Sequence, residues 1–133
     1  MPSSPVFRAA ARPCTLVVCR GCCCGDPGRH PGADHAGQLE RLRAAGAEGG
    51  FEVRVSDCLG PCDQANVIVV RPSAAGRGAG GRPVWLGFAL DDDSTAEIAQ
   101  WARAGGPGLA EPPLALELQR IQPPRGARTG SGR

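Results

Sequence analysis

Apolar and polar positions alternate along this chain in a few short, readable patterns. Thr15–Val18 (TLVV) is an apolar run ending in CRGCCCG and then the breaker-rich DPGRHPG, which predicts a buried strand running straight into a loop. From Asp34, the segment DHAGQLERLRAAG puts Ala36, Leu39 and Leu42 on one face and Gln38, Glu40, Arg41 and Arg43 on the other. With Asp34 as N-cap and Gly46 as stop, this spacing predicts a helix over about residues 35–45. FEVRVSD alternates Phe51, Val53 and Val55 inward with Glu52, Arg54 and Ser56 outward, a half-buried strand that delivers Cys58 to its end. Asn66–Pro72 (NVIVVRP) is β-branched on both faces, as a central strand is. Pro83–Leu90 (PVWLGFAL) is expected to pair with it as a hairpin across the flexible loop SAAGRGAGGR. Ser94-Thr-Ala-Glu97 reads as a capping box before the apolar stripe Ile98, Trp101 and Ala102, with Gly105 as the stop of a second helix. The order β-α-β-β-β-α predicts a small α/β domain with a mixed four-stranded sheet and two packed helices.

Composition sets the limits of that domain. The chain has 133 residues, a length for one folded unit; Gly (20) and Pro (13) make about a quarter of it and aromatics only 4%. The core is therefore small, with Trp85, Trp101, Phe51 and Phe88 as its expected aromatic members. Residues 14–105 carry the patterned region, residues 1–13 read as a disordered arm, and residues 106–133 as a Pro/Gly/Arg-rich, mostly disordered tail in which Leu114–Ile121 has the pattern for one or two helical turns. A net charge of +2 gives no argument for a nucleic-acid partner. No apolar run approaches the roughly 18 residues a membrane span needs, and MPSSPVFRAAARP lacks the apolar centre of a secretory signal. The expectation is a soluble, cytoplasmic protein without nucleic-acid or membrane partners.

Seven cysteines in such a chain point to metal or redox chemistry rather than to disulfide staples. They are Cys14, Cys19, Cys22, Cys23, Cys24, Cys58 and Cys62, concentrated in two turns that follow strands. Four residues separate Cys19 from Cys24, and Leu59, Gly60 and Pro61 separate Cys58 from Cys62. Four thiolates divided between two loops are able to hold one metal centre. Gly21, Gly25 and Gly60 would let backbone N–H groups approach such a centre, and Arg20 would add a charge-assisted donor. The spacings of plant-type and bacterial ferredoxins are not met, a Rieske centre would need histidines in both loops, and only the first loop has the C-x2-C knuckle of a zinc ribbon.

Val18-Cys19-Arg-Gly-Cys-Cys-Cys24, then Cys58-Leu-Gly-Pro-Cys62 ahead of Asn66–Val70, resembles the thioredoxin-like [2Fe-2S] ferredoxins over roughly Thr15 to Ala104, and is similar also to the small [2Fe-2S] subunit of respiratory NADH dehydrogenase. The resemblance implies a thioredoxin-like fold, a [2Fe-2S] cluster near the surface held by Cys19, Cys24, Cys58 and Cys62, one-electron transfer to and from a redox partner protein, and often a homodimer. Many such ferredoxins have a longer spacer between the first two ligands, and here Cys22 and Cys23 compete with Cys24. An electron carrier of this kind is not itself an enzyme.

Two other functions use the same residues. A structural or storage protein would hold Zn(II) or Cu(I) on these thiolates. A thiol–disulfide oxidoreductase would use Cys19 and Cys22 as C-x-x-C, but Gly25, Asp26, Pro27, Gly28, Pro31 and Gly32 prevent a helix from starting at that motif. Cys14 reads as a structural thiol, and His30 and His35 as solvated side chains of a proline-rich loop. Gly76-Arg-Gly78-Ala-Gly-Gly81 matches G-x-G-x-x-G in a loop without the helix a nucleotide site needs, and Asp91–Asp93 complement a helix dipole.

Overall fold

In a computed structural model of the chain, the residues described are 14–20, 24, 26, 28, 31–57 and 64–123. Strand β1 (Thr15–Cys19) leads through the first cysteine loop to helix α1 (His35–Gly49), and strand β2 (Glu52–Ser56) follows. After the second cysteine loop come strand β3 (Ile68–Arg71), helix α2 (Ala74–Gly78), strand β4 (Val84–Leu86), helix α3 (Asp92–Arg103) and helix α4 (Leu114–Glu117). The four strands form one mixed sheet in the order β2-β1-β3-β4, with β1 and β2 parallel and the β1–β3 and β3–β4 pairs antiparallel. The expected mixed four-stranded sheet is therefore present. No helix among the described residues is long and apolar enough to cross a membrane.

Because side chains alternate across a strand, the sheet has two distinct apolar faces. Leu16, Val18, Ile68, Val70, Val84 and Leu86 pack with Leu42 of α1 and with Ile98, Trp101 and Ala102 of α3. The opposite face carries Val17, Cys19, Val67, Val69 and Trp85, joined by Cys24 and Ala65. β3 is buried on both faces, as its β-branched run requires, whereas β2 lies at an edge and leaves Val55 44% exposed instead of inside.

Several element ends differ from the sequence reading. The Asp34 side chain does cap α1, accepting from the Gly37 N–H at 3.0 Å, but the helix continues through Gly46 to a left-handed Gly50. Gly46 is buried against Phe51, where the lack of a side chain matters more than its low helix propensity. Gln38, assigned above to the outer face, is only 3% exposed, while Ala36 is exposed. Ser94 donates to Gln119 Oε1 at 3.0 Å instead of forming the capping box, and α3 starts at Asp92 behind Asp91. Asp92 and Asp93 do occupy its first turn, where their charge complements the helix dipole.

The loop between β3 and β4 contains α2, nucleated by the Ser73 side chain accepting from the Gly76 N–H at 3.0 Å. Phe88 is 52% exposed and held at φ +58°, so it is not a core residue. In the segment read as a tail, α4 forms within the expected Leu114–Ile121 stretch and Leu116 is fully buried. Trp101 Nε1 donates to Ala110 O at 2.9 Å, Arg120 bridges to Leu86, and Ile121 packs beside Trp85's cluster. The chain up to Pro123 is thereby folded onto the domain rather than disordered. The remaining arm and tail, residues 1–13 and 124–133, lie outside the described residues.

Candidate metal centre

The topology brings both cysteine loops to one end of the sheet. β1 and β2 are parallel with Cys19 opposite Ser56, so the chain leaves both strands in the same direction. β3 runs antiparallel to β1 and pairs Ile68 with Val18, so the chain re-enters the sheet at this same end. Cys58 and Cys62 belong to the connection between these two points; they lie outside the described residues, as do Cys22, Cys23 and His30.

Cys19 and Cys24 are both 2% exposed and share one apolar cluster with Val67. Cys19 is tied to the two segments that bracket the second cysteine loop: its thiol donates to Asp57 O at 3.7 Å, and its backbone N–H donates to Val67 O at 3.0 Å. Cys24 is tied to the return segment, where the Val67 N–H donates to its sulfur at 3.3 Å. An N–H aimed at sulfur favours thiolate over thiol, because only the anion gains the full strength of a charge-assisted bond.

Arg20 follows Cys19 and is half-buried beside both sulfurs. Burial pulls its guanidinium below its ordinary range, while negative charge on Cys24 and Cys19 acts in the opposite sense. Its own fork is fixed by the protein: Nη1 donates to Cys19 O at 2.9 Å, and Nη2 to His35 O at 3.0 Å and Gln38 Oε1 at 2.9 Å. Gln38 is held in turn, its Nε2 donating to Ala89 O at 2.7 Å and Thr95 Oγ1 at 3.1 Å. Asn66, 1% exposed, places Nδ2 3.0 Å from His35 Nδ1 and 3.4 Å from Gln38 Oε1. His35 is therefore part of a buried polar network at the start of α1 and not a solvated loop residue. This network positions a fixed positive charge at the cysteine end of the sheet.

Sequence reasoning identified Cys19, Cys24 and Arg20 but missed Gln38, Asn66 and the Val67 N–H. The available signal was Asn66 itself, a polar residue opening an otherwise apolar central strand. Cys14 lies at the other end of β1 and does not join this group. Its thiol donates to Ala102 O at 3.4 Å, and burial pushes it up from 9.0 to about 11, as expected for a structural, inert thiol.

Among the described residues no group of three or more His, Cys, Asp or Glu side chains gathers to hold a metal. The two described sulfurs, with an N–H and a guanidinium beside them, form a soft, electropositive donor set that fits thiolate-bound iron–sulfur, zinc or Cu(I). No family model, curated protein or solved structure matches this chain.

Proposed function

We propose that this chain is a thioredoxin-like ferredoxin that holds a [2Fe-2S] cluster on Cys19, Cys24, Cys58 and Cys62 and carries one electron at a time between a reduced and an oxidised partner protein. The observation that carries the reading is the double attachment of the first cysteine pair to the chain on either side of the second, through Asp57 and through Val67. The β-α-β-β-β-α order read from the sequence is present, with α2 inserted between β3 and β4 and α4 following α3.

When bound, such a cluster supplies a one-electron couple whose potential follows burial and hydrogen bonds to sulfur. The chain's own residues would set those terms. The Val67 N–H stabilises charge on Cys24, and Arg20 offsets the negative charge of the thiolates. Gln38 and Asn66 keep that guanidinium in place. Thiolates of this kind persist in a reducing compartment, so we place the protein in the cytoplasm.

Anaerobic purification of the full chain, with visible absorption, EPR after dithionite reduction, and iron and sulfide counting, tests the reading. The expected result is about two iron and two sulfide per chain. A colourless preparation holding zinc alone, from iron-replete cells, would overturn it in favour of a structural thiolate site.

A further inference from the structure

The end of the sheet away from Cys19 and Cys24 carries a second concentration of charge. Thr15 lies opposite Glu52 on one side and Arg71 on the other, and Val17 lies opposite Arg54. By the strand alternation, these side chains share the sheet face that α1 and α3 do not cover. Arg77 on α2 closes the far side, and with Ser73 the group surrounds a concavity of about 620 Å³. Cys19 is four residues further along β1, about 13 Å away at the usual strand rise.

Among the described residues, three guanidinium groups here face one carboxylate, and Arg77 Nη2 donates to Pro72 O at 3.4 Å. Glu52 Oε1 is 3.6 Å from Arg54 Nε, in an exposed pair that leaves Arg54 available to a better acceptor. Arg71 is half-buried and, among the described residues, has no carboxylate partner. The Ser73 hydroxyl oxygen accepts from the Gly76 N–H, which leaves its proton to donate. The wall formed by α2 is packed against the segment around Pro107. The Gly81 N–H donates to Gly76 O at 2.8 Å, and a Cβ at Gly76 would collide with the carbonyl oxygen of Pro107. Among the described residues the site is thus built of planar five-donor forks and hydroxyls, with three guanidinium groups to one carboxylate.

We propose that this concavity binds a phosphoryl group, as inorganic phosphate or as the phosphate of a small organic ester, on Arg54, Arg71 and Arg77 with the hydroxyls of Thr15 and Ser73 alongside. Arginine forks match the oxygen spacing of a tetrahedral dianion, which a monovalent chloride does not exploit. Within the G-x-G-x-x-G stretch, Gly76 and Gly81 serve the packing of α2 against Pro107, whereas a Cβ at Gly78 would meet nothing within 4 Å.

The test is titration of the full chain with inorganic phosphate and with adenosine monophosphate at constant ionic strength, followed by calorimetry and amide NMR. Saturable binding is expected, with shifts confined to the surroundings of Thr15, Arg54, Arg71 and Arg77. Arg71→Gln and, separately, Arg54→Gln should each weaken it at least tenfold while the amide signals of Leu42 and Ile98 stay unchanged. Tighter binding of the nucleotide than of phosphate assigns the site to an ester, and equal binding to free phosphate. Absence of saturation, an affinity unchanged from the parent chain in either variant, or equal displacement by chloride would overturn the proposal.

Discussion

Val67 and Cys24 are 43 positions apart in the chain, yet the Val67 N–H donates to the Cys24 sulfur at 3.3 Å. Cys19 completes the arrangement by donating its own N–H to Val67 O. Two cysteines of the first loop are thereby attached to the segment that follows the other cysteine loop. Cys19→Ala, Cys24→Ala, Cys58→Ala and Cys62→Ala are each expected to abolish iron and sulfide retention, whereas Cys14→Ala, Cys22→Ala and Cys23→Ala retain both. Metal counting and visible absorption of the purified variants check this. Full retention in Cys24→Ala with loss in Cys22→Ala would move the ligand within the loop.

Arg20 is expected to influence both potential and stability. Replacing it with Gln removes a positive charge beside the sulfurs, so the reduced and more negative state loses more than the oxidised state and the potential falls. The scale is about 60 mV for each 1.4 kcal/mol of lost differential stabilisation in a one-electron couple. Removing the guanidinium also leaves the carbonyls of Cys19 and His35 and the Gln38 Oε1 without this donor, a cost of about 1–3 kcal/mol. A spectroelectrochemical titration showing an unchanged or raised potential would remove Arg20 from the site.

Cys14 predicts a pH dependence at the alkaline end. Its thiol is raised from 9.0 to about 11 in the folded chain, so between these values the folded state keeps a proton that the unfolded state has released. Stability from this group is complete below pH 9.0 and is lost as pH rises through about 11. The loss is on the order of 2 kcal/mol. Urea denaturation at pH 8 and pH 10.5 should show this slope in the parent chain and its disappearance in Cys14→Ala.

Gly46 and Gly78 are both helical glycines, but they are expected to respond oppositely to alanine. A Cβ at Gly46 would stand 2.6 Å from Phe51 O and 3.2 Å from Phe51 Cε1, while one at Gly78 meets nothing within 4 Å. Overpacking at Gly46 costs about 1–3 kcal/mol, enough to outweigh the ~1 kcal/mol that alanine gains over glycine in a helix. Gly46→Ala should lower the thermal midpoint and Gly78→Ala should hold or raise it. The reverse order would mean that α1 does not approach Phe51 as described.

Local chemistry by itself determined much of this protein. The apolar run at Thr15–Val18, the β-branched stretch before Pro72 and the stripe of Ile98, Trp101 and Ala102 specify β1, β3 and α3, because strand and helix periods are written in neighbouring residues. Asp34 likewise marks the start of α1, since a cap acts within one turn. The breakers after Cys19 likewise mark the end of β1, and Cys24 lies in a turn beyond it.

What tertiary structure decided depends on partners distant in the chain. Gln38 is buried because Arg20, Ala89 and Thr95 satisfy its amide, and Gly46 continues a helix because Phe51 fills the space a side chain would take. Leu116 folds back from a proline-rich segment because the core has an apolar place for it, whereas Phe88 turns outward at the end of β4. Burial of a polar group and exposure of an apolar one are set by the balance of desolvation against available partners, and no local period carries that information. The same holds for Arg54 and Arg71, which β2 and β3, on either side of β1, bring to one face although 17 positions of sequence hold them apart.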